Sequence, residues 1–261
     1  MAETADCHEL YEQSVQNVEA EVEFIQTAFR ELRGRHPTSF REDFCGTAAA
    51  ACHWVTVGKE NSAWAVDIDP HVLAWGREHN AAALRPTQRK RLELLEANVL
   101  KVRTPPVDVV GAFNFSYWCF KDRAVLADYF RAVRRALVQD GLFFLDVFGG
   151  AEAYNECREK TKYDDFTYVW DQASYEPVTG AYKCYIHFRF PDGSKIKRAF
   201  SYDWRLWSLP ELRDLLAETG FRASYVYWEG EDEEGEANGE YSRVESGDND
   251  PAWIAYLVAE R

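Results

Sequence analysis

Apolar residues recur along this chain with two different periods, and the changes of period divide it into elements. From residue 7 to residue 33 they are spaced by four and three positions, which predicts one amphipathic helix ended by Gly34. Short apolar runs bounded by turn or capping residues predict five strands, at 40–44, 63–68, 91–99, 107–115 and 142–147. Helical segments between them begin near Ala48, Asp69 and Asp122. Strands that alternate with helices indicate a mostly parallel sheet covered on both faces.

The pattern changes after residue 150. Three apolar-rich runs follow with turn residues but no helix between them, at 166–172, 182–190 and 195–202, and they predict an antiparallel β insertion. Ser208 and Glu211 form a capping box that opens a helix, and strands at 223–228 and 253–259 follow. The acidic stretch 229–250 between these two strands predicts a solvated loop or a hairpin connection. The sequence therefore predicts an α/β fold with seven strands in its main sheet.

The stretch Ser39–Trp54 predicts a strand, a tight turn and a helix. Cys45, Gly46 and Thr47 form the turn, and the alanines after it favour a helix. Such a helix points unpaired backbone N–H groups and the positive end of its dipole at the turn, where small residues let a ligand approach. Asp67 ends the second strand, where nucleotide-binding α/β proteins place a carboxylate that accepts hydrogen bonds from ribose hydroxyls. We therefore expect a nucleotide-like ligand here, although a buried turn without a ligand has a similar composition.

These features resemble the class I S-adenosyl-L-methionine-dependent methyltransferases. The cofactor motif of that family is an acidic residue followed by three glycines at alternate positions, and it aligns with Glu42–Ala48. Only Gly46 is kept, since Phe44 and Ala48 replace the outer two glycines. The aromatic insertion resembles the small-molecule branch of the family, such as glycine and sugar-amine N-methyltransferases. The resemblance implies a Rossmann-like methyltransferase sheet, and direct in-line transfer of a methyl group from S-adenosylmethionine, with S-adenosylhomocysteine as product.

The resemblance also implies how one domain of residues 1–261 is organised. Residues 7–33 would be a lid helix, 39–150 the cofactor-binding core, 160–205 the β insertion, and 206–261 the end of the core. Asp67 would bind the ribose and Asn98 the adenine amino group, while Tyr11 and Gln16 of the lid would contact the cofactor. The full set of expected cofactor contacts is Tyr11, Glu42, Phe44, Cys45, Gly46, Thr47, Asp67, Ile68, Asn98, Val99, Asn114 and Phe115.

Methyl transfer needs an attacking N, O or S atom in line with the S–CH₃ bond, and a base if that atom starts protonated. Three residues are candidate bases: His187, Tyr185 and Asp146. The aromatic insertion suits an amine held by cation–π contact, whereas its arginines suit a carboxylate, and an amino-acid-like acceptor would use both. The expected acceptor contacts are Tyr117, Trp118, Arg189, Arg198 and Arg205. The atom that is methylated stays open.

The composition of the chain restricts the classes of partner and ligand that we expect. The net charge of −14 disfavours a nucleic-acid substrate, and no apolar run approaches the 18 residues that a membrane helix needs. None of the six cysteines forms a C-x-x-C pair, which argues against a zinc site. The N-terminus lacks the apolar segment of a secretory signal, so we expect a cytoplasmic protein with reduced thiols. A homodimer through the β insertion, a non-catalytic cofactor-binding module and another transferase of the same fold, such as an aminopropyl transferase, remain open.

Overall fold

The computed structural model describes residues 1–231 and 237–261. The strands of the main sheet are β1 (Ser39–Asp43), β2 (Ser62–Asp67), β3 (Leu92–Glu96), β4 (Val107–Ala112), β5 (Leu137–Gly149), β10 (Ala223–Glu231), β11 (Ala237–Val244) and β12 (Trp253–Glu260). The inserted strands are β6 (Cys157–Lys162), β7 (Thr167–Glu176), β8 (Ala181–Arg189) and β9 (Lys195–Arg205). The helices are α1 (Cys7–Val15), α2 (Val18–Arg33), α3 (Ala49–Val57), α4 (Pro70–Gly76), α5 (Pro86–Arg89), α6 (Arg123–Ala136) and α7 (Leu209–Glu218). A π-helical turn continues α4 over Arg77–Ala81, and two short 3₁₀ turns span Ser116–Cys119 and Ala151–Tyr154.

The main sheet has the strand order β11-β10-β12-β5-β4-β1-β2-β3. Strands β1 to β5 pair in parallel, and β12 is antiparallel to both β5 and β10. Helices α2 and α3 pack on one face, and α6 and α7 pack on the other. This arrangement confirms the predicted α/β fold with an antiparallel insertion. No helix within the described ranges is long and apolar enough to cross a membrane.

The main sheet has eight strands in the described chain, where seven were predicted. The additional strand, β11, lies in the acidic stretch 229–250, for which a loop or a hairpin connection was predicted. Residues 232–236 of this stretch are outside the described residues. Strand β11 pairs antiparallel with β10 at the edge of the sheet. Nearly all of its side chains face solvent, so it has no apolar alternation. An edge strand of this kind leaves little hydrophobic signal in a sequence.

The predicted helix over residues 7–33 is two helices. The backbone of Gln16 is extended, and the Asn17 side chain accepts a hydrogen bond from the Ala20 amide at 3.3 Å, which caps α2. The Asp6 carboxylate caps α1 in the same way, through the His8 amide at 2.8 Å. The apolar spacing continues across the break, but a capping Asn within it starts a new helix. The break directs α1 over the carboxyl ends of the central strands.

The β insertion has four strands rather than three. Strand β6 reads CREKTK, and its polar residues gave no apolar run. It pairs with β7, and the sheet order is β6-β7-β8-β9. Alternate residues of β8, from Tyr182 to Phe188, are buried against the domain, while the residues between them face the other side. We call these two sides the inner face and the outer face of the insertion.

Candidate functional site

The turn after β1 has three left-handed residues at alternate positions. Phe44, Gly46 and Ala48 have φ of 58°, 52° and 58°, and they are the positions that align with the three glycines of the cofactor motif. A residue with a Cβ atom pays about 1 kcal/mol for this conformation. The Phe44 ring packs on Phe120 and Tyr129, with centroids 5.8 and 5.6 Å away, and Ala48 is fully buried. Packing thus holds non-glycine residues in a backbone that glycine adopts freely.

Asp67 braces this turn from the neighbouring strand. Its Oδ2 atom accepts a hydrogen bond from the Gly46 amide at 2.8 Å, and its Oδ1 atom accepts one from the Asp69 amide at 2.9 Å. Each carboxylate oxygen keeps a second lone pair, so these bonds leave room for ligand hydroxyls. Ile68, next to it, is 66% exposed and is a predicted contact that lies outside the lining of both cavities of this site. The carboxyl end of β2 therefore presents one anionic group beside one apolar surface.

Glu42 lies beneath the turn. Its side chain is buried, and its Oε2 atom accepts a hydrogen bond from the Ala51 amide at 2.9 Å, at the start of α3. Burial, together with the nearby charges of Asp67 and Asp43, raises the pKa of Glu42 to about 8. The carboxyl group thus holds a proton more strongly than an exposed glutamate does.

Helix α1 is fastened to the turn by a polar cluster. The Glu12 carboxylate accepts hydrogen bonds from the Thr47 hydroxyl and from Asn80 Nδ2, the latter at 2.7 Å, and Asn80 also donates to the Thr47 carbonyl at 3.1 Å. A Cβ atom on Gly76 would lie 2.3 Å from the same carbonyl, so α4 approaches the turn as only glycine allows. Helix α1 therefore lies against the turn.

A cavity of about 420 Å³ opens between the turn, α1 and β9. Among the described residues its lining contains five acidic side chains, at positions 42, 43, 67, 69 and 203, and no Lys or Arg. The Oε1 atom of Gln16 is buried and has no hydrogen-bond partner within the described chain, and Gln16 is part of this lining. The predicted cofactor contacts in the lining are Tyr11, Glu42, Phe44, Cys45, Gly46, Thr47, Asp67 and Asn114.

A second cavity, of about 380 Å³, adjoins the first along the inner face of the insertion. It shares four lining residues with the first: Tyr11, Asn114, Tyr202 and Trp204. Half of its other lining residues are aromatic or acidic, and within the described ranges none is Lys or Arg. The aromatic ones include Phe115, Phe148, Tyr168, Trp170 and Trp253, and the acidic ones are Glu152, Glu159 and Glu229. The two cavities form a pair with one common wall.

Asp146 supports the wall from behind. Its Oδ2 atom accepts a hydrogen bond from the Asn114 amide at 2.6 Å, and its Oδ1 atom accepts one from the Phe115 amide at 2.9 Å. Asn114 and Phe115 follow the end of β4, both with φ of 55°, where the sequence predicted the strand to continue. Burial raises the pKa of Asp146 to about 7, against the two amide hydrogen bonds, which act to lower it. Asp146 holds the backbone of the shared wall and lines neither cavity.

The other two candidate bases lie on the outer face of the insertion, away from both cavities. The Arg198 amide donates to His187 Nδ1 at 3.0 Å, which places the ring proton on Nε2, 3.0 Å from Asp171 Oδ2. Both nitrogens of His187 therefore have structural partners. The Tyr185 ring lies under the Arg198 guanidinium at 4.4 Å.

Several predicted contacts lie outside both linings. The Asn98 side chain accepts a hydrogen bond from the Leu100 amide at 2.9 Å, and Val99 is buried next to it. Tyr117 and Trp118 are fully buried, in the layer behind the second cavity. The three predicted arginines also lie elsewhere: Arg189 and Arg198 are on the outer face, and Arg205 stacks on Trp207 at 3.7 Å.

The sequence analysis missed the acidic side of the second cavity and the contact made by Glu12. Glu159 lies on β6, which had no apolar run, and Glu229 lies at the end of a strand predicted to stop one residue earlier. Trp170, Tyr202 and Trp204 lie on predicted inserted strands or just beyond, but the alternation did not say which face would point inward. The available signal in the sequence was the polar segment of β6 directly before the aromatic strand β7, which together supply Glu159 and Trp170 to the second cavity.

Comparisons of structure show that the chain has the fold of S-adenosylmethionine-dependent methyltransferases. A methyltransferase from Clostridium acetobutylicum aligns over 97% of this chain and 96% of its own, at 15% identity and a TM-score of 0.71. Streptomyces venezuelae DesVI aligns over 98% of both chains, at 16% identity and a TM-score of 0.68. The amino pentose methyltransferase CalS10 from Micromonospora echinaspora aligns over 97% of this chain and 95% of its own, at 13% identity and a TM-score of 0.68. No family model and no curated protein match the sequence.

Proposed function

We propose that the chain is an S-adenosylmethionine-dependent methyltransferase that acts on a small-molecule amine. The observation that carries the proposal is the pair of cavities with a common wall at the carboxyl ends of the parallel strands. One cavity meets the glycine-motif turn and the other meets the aromatic insertion. A methyl group carried by a ligand in the first cavity would face an acceptor in the second at Tyr11, Asn114, Tyr202 and Trp204.

The first cavity matches a cationic nucleotide ligand. S-adenosylmethionine carries a sulfonium and an ammonium group, and the described lining supplies the carboxylates of Asp67 and Asp69 without any Lys or Arg. Two other acids of the lining add little negative charge, because the raised pKa of Glu42 favours its neutral form and Asp43 is paired with Arg41 at 2.7 Å. We assign the ribose hydroxyls to Asp67, and one face of the adenine to the exposed Ile68. The partnerless Gln16 carbonyl would accept a hydrogen bond from the ammonium group of the methionine moiety. The left-handed turn centred on Gly46 lets the ligand approach the backbone.

The second cavity matches an amine better than a carboxylate. Its rings stabilise a cation through their negative faces, and three glutamates add negative charge. The ring centroid of Trp204 lies 4.3 Å from that of Tyr202 and 6.3 Å from that of Trp170, so the three rings form one aromatic wall. The carboxylate clamp expected from Arg189, Arg198 and Arg205 is not part of the proposal, because these residues lie outside the lining.

Transfer needs only a few groups from the chain. The lone pair of the amine attacks the methyl carbon, the S–CH₃ bond breaks, and its electrons return to sulfur as a neutral thioether. An amine bound as its ammonium form would first give a proton to a carboxylate, which frees this lone pair, and Glu159 and Glu229 of the second cavity are our candidates for that carboxylate. The wall held by Asp146 and the lid held by Glu12 fix the two reactants in line, and positioning of this kind supplies much of a rate enhancement.

The first test is calorimetric titration with S-adenosylhomocysteine. We expect binding in the micromolar class, weakened about tenfold or more in Asp67→Ala, since a ligand hydrogen bond to a charged group is worth about 1.5–3 kcal/mol. Asp128→Ala removes a surface carboxylate on α6 and serves as the matched control. Absence of binding in the wild type would contradict the proposal, and equal affinity in both variants would contradict the assignment of Asp67.

The second test incubates the protein with S-adenosylmethionine and with small amines, carboxylic acids or thiols, and measures the S-adenosylhomocysteine formed. We expect turnover with amines, and a higher KM in Glu159→Gln with unchanged affinity for S-adenosylhomocysteine. Turnover of carboxylic acids alone would exclude an amine acceptor. Cofactor binding without turnover of any acceptor would favour the alternative of a non-catalytic binding module.

A further inference from the structure

The outer face of the insertion is basic, although the chain as a whole carries a net charge of −14. Cross-strand pairs of an antiparallel sheet share a face, so the register places the side chains of Lys160 and Val169 with His187. Three carboxylates of the described strands lie on this face: Asp171, Glu176 and Asp203. The basic side chains of the face are Arg158, Lys160, Lys162, Lys183, Arg189, Lys195, Lys197, Arg198 and Arg205.

These basic residues surround a hollow of about 380 Å³. Val169, Phe188 and Ile196 form part of its lining, and its other residues are Arg158, Asp171, His187, Arg189, Lys195, Lys197 and Arg198. A volume of this size suits a small molecule. Because the inner face of the same strands lines the second cavity, the hollow is separated from it by the thickness of the sheet.

Most of the positive charge in the hollow is free. Arg158 is paired with Asp171 at 2.9 Å. Arg189, Lys195 and Lys197 have no ion-pair partner within residues 1–231 and 237–261, and Arg198 contacts only the Tyr185 ring through its guanidinium. Unpaired cations held together repel one another, which favours binding of an anion.

The floor of the hollow is built to hold these groups in place. His187 donates from Nε2 to Asp171 and accepts at Nδ1 from the Arg198 amide, where the Arg198 backbone is left-handed with φ of 52°. Burial alone would raise the pKa of Asp171, but the hydrogen bonds from Arg158 and His187 hold it below its ordinary value. The single carboxylate of the lining is therefore ionised and bound through Oδ2 to Arg158 and His187, which leaves the remaining cations to a ligand.

We propose that this hollow binds a phosphorylated small molecule, at a site separate from the two cavities. The five cations of the lining less the one carboxylate give a charge of 5 − 1 = +4. A diphosphate carries about three negative charges at neutral pH, whereas one carboxylate group carries one and would leave most of the cations unmatched. Arginine forks hold phosphate oxygens in pairs, and lysines add point charges.

Charge also argues against a second copy of the chain as the occupant. A two-fold dimer would place this face against itself, because an isologous interface uses the same patch on both subunits. The excess of cations over carboxylates on one copy would then meet the same excess on the other, and like charges in contact oppose association. The outer face of the insertion is accordingly assigned to an anion and not to the homodimer that the sequence left open.

The test is calorimetric titration of the full chain with inorganic pyrophosphate at low salt. We expect binding in the wild type and a loss of about tenfold or more in affinity for Arg189→Met combined with Lys197→Met. The control is Lys59→Met combined with Lys90→Met, two exposed lysines elsewhere on the chain, and it should bind within about twofold of the wild type. Thermal melting of each variant checks that it is folded.

Two outcomes would overturn the proposal: no binding of pyrophosphate by the wild type, or equal loss in the two double variants. Titration with S-adenosylhomocysteine separates this test from that of the proposed function. Its affinity should be unchanged in Arg189→Met combined with Lys197→Met, because the two ligands occupy different faces of the insertion. A common loss of both ligands would mean that the substitutions damage the sheet, and would also contradict a separate site.

Discussion

Asp146 should make the stability of this protein depend on pH in the mildly acidic range. Burial raises its pKa from 3.8 to about 7 in the folded protein, a shift of about three units, or about 4 kcal/mol in favour of the neutral form. Because the folded state binds the proton more tightly than the unfolded chain does, the gain in stability is fully present below about pH 4. It is lost as the pH rises to about 7.

The substitution Asp146→Asn removes this titration while keeping the shape of the side chain. Between pH 5 and 6.5 the folded protein holds one more proton on Asp146 than the unfolded chain does. The free energy of unfolding of the wild type should therefore fall with pH more steeply than that of the variant, by about 1.4 kcal/mol per pH unit. Burial also raises the pKa of Glu21, but Glu21 is present in both proteins and therefore does not add to the difference between them.

Urea unfolding at half-unit steps from pH 5 to 6.5 measures this slope. Over that range the expected difference between wild type and variant reaches about 2 kcal/mol, more than the error of a linear extrapolation. Asp128→Asn removes a surface carboxylate and should keep the slope of the wild type. If Asp146→Asn also kept it, Asp146 would be ionised throughout, and its two amide hydrogen bonds would outweigh its burial.

Two further predictions concern the turn and the lid. Ala48→Gly should change the free energy of unfolding by less than about 1 kcal/mol, since relief of the left-handed backbone offsets the greater freedom of glycine in the unfolded chain. Phe44→Gly should lower the free energy of unfolding by about 2–3 kcal/mol, because the packing of the ring is lost. Thermal melting compares the two variants, and equal losses would contradict the role given to packing. Glu12→Ala should weaken binding of S-adenosylhomocysteine about tenfold by freeing α1 from Thr47, whereas Glu9→Ala on the exposed side of α1 should not. Calorimetry compares the affinities of the two variants. Equal affinities would mean that α1 does not need the contact between Glu12 and Thr47 for ligand binding.

The alternation of strands and helices predicted the main sheet well, because the buried strands leave apolar runs and helices α4, α6 and α7 begin at the capping residues Asp69, Asp122 and Ser208. The elements that were missed or merged have other signals. Strands β6 and β11 are polar and lie at the edges of their sheets, so burial left no pattern in them. The break between α1 and α2 depends on the cap formed by Asn17, which the continuing apolar spacing concealed.

Faces were harder to predict than strands. Strand β8 was predicted to within one residue at each end. A strand has two faces, however, and only the register shows which of them points at a cavity. His187 and Tyr185 were candidate bases for their chemistry, and the structure puts both on the outer face. Trp170, an inner-face residue of β7, came to the second cavity by the same alternation. The identity of a side chain predicts the chemistry that it can perform, whereas its odd or even position along the strand decides which face of the sheet it lies on.

The cofactor motif shows why a degenerate match can still keep its geometry. The motif is defined by glycines because an isolated turn with φ near +55° favours them. In this chain the turn is not isolated: the Asp67 carboxylate holds the Gly46 amide, and the rings of Phe120 and Tyr129 hold Phe44. Each contact removes alternatives to the left-handed backbone, so the penalty of about 1 kcal/mol per side chain is met by packing and not by residue type. The backbone geometry of the motif is thus a property of the folded surroundings, and counting its glycines underestimates how much of it remains.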